Sequence, residues 1–250
     1  MGLYKTGRLP ATRPAVLGDL SLYSTGPLPS PPPTYSVPGE RLGRPLGGLY
    51  PLDGNGTYGD CTIAGVAHCI EAWNYGLHQG DPIPDEQQVV QTYFDLTGGE
   101  DTGLNESEVL KTWQREGLFG EKIAAYAPVN PRHLLELHQA VAFYGGCYLG
   151  IQCPESAQRA FQRQEETGHV VPWVYEGEET EDGHCVVALG YGPNGGLHCA
   201  TWGGIAVLEA SFLAHYLDEA WCILPHQLIE AKKDSLGLDL ESLEQDLKRV

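Results

Sequence analysis

Nine of the chain's 18 prolines fall within its first 50 residues, most densely in GPLPSPPPTYSVPG at residues 26–39. Proline fixes φ and removes a backbone donor, so this segment can supply neither a long helix nor a central strand. The expectation is an extended arm over residues 1–50, laid on its own body or on a neighbouring subunit. The arm also differs in charge. It holds five basic and two acidic residues, whereas the whole chain has a net charge of -18. A body that acidic repels phosphate backbones, so nucleic acid is not an expected partner.

After the arm the periodicity becomes helical. From Cys61 the apolar positions Ile63, Val66, Ala67, Ile70 and Trp73 recur at three- and four-residue steps, with Asp60 in place to cap the start. PDEQQVVQTYFDL, NESEVLKTWQREG (Asn105 as cap) and NPRHLLELHQAVAFYGG read as three further helices. Strands then take over: CYLGIQC is one, HCVVALGYGPNGGLHCATWGG is two joined at a Pro-Asn-Gly-Gly turn, and IAVLEASFLAHYLDEAWCILP reads strand, short helix, strand. Helices followed by antiparallel strands define an α+β protein of two lobes. The expected division is the arm at 1–50, a helical lobe at 51–145 carrying Cys61, a β lobe at 146–227 carrying His184, and a C-terminal amphipathic helix at 228–250.

Seven cysteines, an odd number with no CxxC pair, predict free thiols in a reducing compartment. Cys and His do not pair at zinc spacings, so no metal and no cofactor are expected. The start MGLYKTGRLPATRP lacks the apolar middle of a secretory signal, and no apolar stretch approaches 18 residues. A cytoplasmic or particle-associated protein, not secreted and not bound to a membrane, is the corresponding expectation.

Cys61 stands at a helix start, where unpaired N–H groups and the helix dipole favour a thiolate. Such a nucleophile needs a base and donors for the developing oxyanion. His184, preceded by Gly183 and followed by an apolar strand in DGHCVVALGYG, is the candidate base.

These residues resemble the papain-like cysteine peptidases. Asn55-Gly56 lies six and five residues before Cys61, and Gly59 lies two before it, at the family's positions for the oxyanion amide and glycines. Downstream, Gly183-His184-Cys185-Val186, Gly190-Tyr191-Gly192 and Ala200-Thr201-Trp202-Gly203 follow the family's His strand and its Asn-Ser-Trp-Gly. The resemblance spans roughly residues 50 to 205. It implies a papain-like two-lobe fold, Cys61 as nucleophile, His184 as general base and acid, Asn55 at the oxyanion, and Gly59, Trp202 and Gly203 as cleft support. GN-x-x-YGDC and Asp218-Glu219-Ala220-Trp221 are similar to papain-fold proteins of bacteriophage and actinobacterial genomes.

Three positions depart from the pattern. Ala200 stands 16 residues after His184, where the family's orienting asparagine belongs; Asn55 is one methylene shorter than glutamine; Thr62 replaces an aromatic residue. Asp182, His198 and Thr201 are the alternatives for orienting the imidazole. Two functions follow. One is a cysteine hydrolase, peptidase or amidase, acting on a peptide or protein substrate. The other is a weakly active or inactive papain-fold protein, a structural component such as that of a phage particle, joined to protein partners or to its own copies through residues 1–50.

Overall fold

The run from Cys61 closes into α1 (Cys61–Gly76), and nearly every side chain along it is buried. The helix is therefore enclosed all round, where the sequence suggested one buried face. In the computed structural model, which describes residues 4–40, 49–76, 83–232 and 236–250, α2 (Glu86–Thr97) and α3 (Glu106–Arg115) come next. Asp85 and Gln88 form a capping box on α2, and the Asn105 side chain accepts from the Ser107 N–H at the head of α3. Capping of α1 by Asp60 does not occur: both carboxylate oxygens lack a hydrogen-bond partner, and only the Asp60 carbonyl accepts from Ile63 and Ala64.

A strand with no forewarning in the sequence, β1 (Ile123–Pro128), follows, then α4 (Leu134–Tyr144), ended by Gly145 at φ 92°. β2 (Cys147–Gln152) leads into a second unanticipated element, α5 (Glu155–Thr167). β3 (Gly183–Tyr191), β4 (Leu197–Thr201), β5 (Gly204–Leu208), α6 (Ala210–Tyr216) and β6 (Leu217–Pro225) complete the strand-rich part as expected. The end of the chain holds two helices, α7 (His226–Lys232) and α8 (Leu240–Leu247), where one was expected; residues 233–235 lie outside the described residues.

The six strands form one sheet, ordered β1-β6-β2-β3-β4-β5 and antiparallel at every pairing. β1 is not legible in the sequence because its partner is β6, about a hundred residues away: pairing at that separation leaves no local signal. α1 packs on the sheet through Gly65, where a Cβ would stand 2.8 Å from the Tyr148 ring and 3.1 Å from the Cys185 sulfur. The Tyr148 hydroxyl donates to the Thr62 carbonyl and ties the first turn of α1 to β2. This close approach sets the first residue of α1 against the first residues of β3.

The arm lies on its own body. It bridges Arg8 to Leu104, Ser24 to Leu238 and Tyr35 to Tyr191, and the Tyr23 hydroxyl donates to Asp246 on α8.

Candidate active site

Cys61 begins α1 and is almost fully buried. Backbone N–H groups of Cys185 and Gly7 act on its sulfur in favour of a thiolate, but burial is the larger effect and pushes the thiol up to about 12. The helix-start argument for a thiolate is therefore overridden in this state: removal from water costs the charged sulfur more than the amides return. The other six cysteines are likewise free and buried.

His184 begins the apolar part of β3 and is fully enclosed. Its Nε2 lies 2.7 Å from Thr201 Oγ1, with the donor set by the imidazole tautomer, and its Nδ1 has no hydrogen-bond partner. Burial pushes the imidazole down to about 3, with Arg8 acting in the same direction. Of the three alternatives for orienting the ring, Thr201 is the one in contact with it. Ala200 pairs with Val187, and the β3–β4 register shifts between Ala188 and Gly190. Ala200 shares a face with Val187, three residues from His184, so the next residue along β4, Thr201, is the one on the imidazole's side of the sheet.

Trp202 covers the imidazole face, with ring centroids 4.3 Å apart at 18°. It adopts φ 42° and Gly203 φ 83°, the two left-handed positions of a tight turn between β4 and β5. A tryptophan rarely takes this conformation, and strain of this kind concentrates at functional sites.

Asn55 is buried, and its amide donates to the Tyr58 carbonyl at 3.3 Å within its own loop. It also lies close enough to Asp60 to favour that carboxylate's charge, without meeting ordinary hydrogen-bond geometry. Gly59 donates its N–H to Asp101 Oδ1 at 2.8 Å.

The groove between the two lobes is filled by the arm, which the sequence did not foretell. The Gly7 and Arg8 N–H groups donate to the Gly183 carbonyl at 3.1 and 3.0 Å. On the opposite wall, Leu104 donates to the Gly7 carbonyl at 3.1 Å and accepts from Leu9 at 3.0 Å. Trp202 Nε1 donates to the Lys5 carbonyl at 3.0 Å, and the Tyr4 ring stacks on Trp202 at 4.6 Å. Gly7 passes where no side chain fits: a Cβ there would stand 2.0 Å from the Gly59 carbonyl oxygen. Among the described residues no group of three or more His, Cys, Asp or Glu could hold a metal ion, and no helix is long and apolar enough to cross a membrane.

Beneath the site, burial pushes Asp60 up to about 8 and Asp53 up to about 7, and pushes His68 down to about 4. His68 Nε2 is 3.5 Å from Asp53 but 2.8 Å from the Pro51 carbonyl. A carbonyl only accepts, so Nε2 carries a proton, and burial keeps the ring uncharged above about pH 4; between pH 4 and 7 this contact joins two uncharged groups. The consequence for stability has a definite sign. Histidines with lowered pKa values contribute stability that grows as pH rises to ~6.5 and is then constant. Carboxyls with raised pKa values contribute stability that is lost as pH rises through about 4 to 8. The two offset each other below pH ~6.5, and the carboxyls alone act above it. Urea unfolding at pH 6.5, 7.2 and 8 should therefore show falling stability, by up to ~1.4 kcal/mol per pH unit per group. Asp60→Asn should flatten the slope; an unchanged slope in that variant would show that Asp60 is already ionised at pH 6.5.

A helix-borne thiol and a strand-borne imidazole set at the boundary of two lobes, on this order of helices and strands, define a papain-like fold. The most informative likeness is to xylellain, a cysteine protease from Xylella fastidiosa, with TM-score 0.65 and 14% identity over 90% of this chain and 97% of that one. The proform of the ragweed pollen cysteine protease Amb a 11 aligns with TM-score 0.53 and 15% identity, over 81% of this chain and 61% of that one. Procathepsin L 3 from the larval midgut of Tenebrio molitor aligns with TM-score 0.53 and 13% identity, over 89% and 75%. No protein-family model and no curated protein sequence matches the chain.

Proposed function

We propose that the chain is a papain-like cysteine hydrolase of peptide or amide bonds, kept latent by residues 4–10 of its own arm. The observation that supports this reading is the His184 ring, whose Nε2 is engaged by Thr201 while its Nδ1 has no partner, next to the Cys185 N–H that acts on the Cys61 sulfur. With the arm withdrawn, water reaches the site and the cost of a charged sulfur falls. With Nε2–H donating to Thr201, Nδ1 takes the Cys61 proton as the sulfur attacks the acyl carbon. The imidazolium then returns that proton to the leaving amine, and water hydrolyses the thioester with His184 again as base. The N–H of Cys61, in the unpaired first turn of α1, and the Asn55 amide are the donors assigned to the oxyanion. Asn55 must first release Tyr58. Gly59 keeps the groove floor low, and Trp202 with Gly203 shields the imidazole.

The arm explains why the thiol is unreactive as it stands. Its two-sided backbone pairing with Gly183 and Leu104 is the way an extended peptide docks on a strand edge. Two of the similar proteins are a protease in its proform and a procathepsin. A second reading, a papain-fold component without turnover, rests on Ala200, the proline-rich arm and the acidic body; contact of Thr201 with the imidazole weakens the first of these grounds.

The test uses the full chain. Gly7→Val removes the arm from the groove, because its side chain would overlap the Gly59 carbonyl. This variant should hydrolyse a mixed library of fluorogenic peptide amides, the unaltered chain should be at least tenfold slower, and Cys61→Ser in the Gly7→Val background should be inert. Absence of thiol-dependent hydrolysis in a folded Gly7→Val chain would overturn the enzymatic reading.

A further inference from the structure

Arg8 is 5% exposed although it belongs to an extended arm. Its Nη1 donates to Glu219 Oε1 and its Nη2 to Asp218 Oδ2, both at 2.7 Å, and Nη2 also reaches the Ile151 carbonyl at 3.2 Å. Glu106, fully buried at the head of α3, has no hydrogen-bond partner on either carboxylate oxygen. Burial and the neighbouring Glu219 hold its carboxyl well above the usual range, with the Arg8 charge acting against them. Burial works against the Arg8 charge, yet the three carboxyl groups together hold the guanidinium more basic than usual.

We propose that Glu106, Asp218 and Glu219 form a subsite for a guanidinium side chain, so that the substrates of this chain are peptides carrying arginine one residue from the bond that Cys61 attacks. The proposal rests on the hydrolase reading above and names its substrate class. Three features of the body support it. The three carboxyls come from α3 and β6, so the pocket belongs to the body; Arg8 is its occupant. The wall beside it is Gly150, where a Cβ would stand 2.5 Å from Glu219 Cγ and 2.9 Å from Arg8 Cδ. Only glycine leaves room there for the stem of a long side chain. Finally, the backbone slot that holds Arg8 recognises no side chain: Leu104 bonds to Gly7 and Leu9 on either side of it, and Gly7 stands next to the Cys61 sulfur.

The alternative role, an ion pair that merely anchors the arm, needs no more than one surface carboxylate. Here an acidic cavity has been built on two separate elements, with a third buried carboxyl that Arg8 does not touch. Two carboxylates and a carbonyl match the planar fork of arginine, and lysine, with a single ammonium, satisfies them less completely.

The experiment uses the full chain with Gly7→Val and Arg8→Gln, which frees groove and pocket together. Acetyl-X-glycine aminocoumarin amides are compared, X being arginine, lysine, the uncharged isostere citrulline, or leucine. Arginine should exceed citrulline in kcat/KM on the order of 10²-fold, lysine should fall between, and Glu219→Gln should remove most of the difference. In parallel, acetyl-X-glycinamides are titrated calorimetrically into the same chain carrying Cys61→Ser, where arginine should bind at least tenfold tighter than citrulline. Turnover that ignores the charge at X overturns the subsite and leaves the hydrolase standing. Selective binding without turnover of any substrate upholds the subsite and overturns the hydrolase. Equal binding of all four peptides overturns the subsite. If the double variant does not fold, Gly7→Val alone preserves the comparison, because Arg8 competes equally with every X.

Discussion

Iodoacetamide at pH 8 is expected to alkylate Cys61 about 10³-fold faster in the Gly7→Val chain than in the unaltered one. With the thiol pushed up to about 12, about one sulfur in 10⁴ is ionised at that pH. A thiol returned to water, with a pKa near ~8.5, is ionised in roughly a quarter of molecules. Ionisation alone thus supplies the factor, before any gain in access or any help from His184. The other six cysteines are buried in the unaltered chain, and those away from the groove act as internal controls. Peptide mapping of the label would expose a wrong assignment directly: equal, slow modification of all seven sites in a folded variant means that the arm is not what silences Cys61.

Thr201→Val should have the second large effect. Valine has nearly the shape of threonine but leaves His184 Nε2 buried without a partner, at a cost of about 1–3 kcal/mol in stability. In the Gly7→Val background the loss should appear in kcat, by about 10²-fold, with KM little changed. The reason is that the hydroxyl fixes the tautomer that leaves Nδ1 free to accept a proton. Thr201→Ser should restore most of the rate, which a purely structural role for the methyl group would not allow. Ala200→Asn should not substitute for Thr201. Successive residues on a strand face opposite ways, and Ala200 is buried in its pairing with Val187. Equal kcat with threonine and valine would remove Thr201 from the mechanism.

The legible parts of the chain were those with local causes. The apolar steps after Cys61, the Asn105 cap, the Pro-Asn-Gly-Gly turn and the strand–helix–strand near the end each depend on neighbours a few residues apart, and each formed. α5 is not legible in the sequence because its surface is mostly polar, and a polar stretch reads equally well as loop. β1 had no local reason to be a strand. Cys61, His184 and Trp202 were found through their spacing, but that spacing misled at the third group. Side-chain alternation along β4 puts Thr201 rather than Ala200 on the imidazole's side, and which face a strand residue takes is set by its pairing in the sheet. The two-residue turn at Trp202-Gly203 also went unread, since tryptophan is not a residue that announces positive φ.

The sequence alone determined that the first 50 residues would supply neither a long helix nor a central strand, because nine prolines remove donors and fix φ whatever surrounds them. It also determined the α+β class and the placing of a thiol at a helix start. Tertiary structure decided where the arm goes and what that does. Only the folded chain brings Gly7 onto the Cys61 sulfur and Arg8 between Asp218 and Glu219, residues more than 200 positions away. Whether that sulfur is a thiolate or a thiol depends on water, and water is excluded by packing between distant segments, which no local pattern encodes.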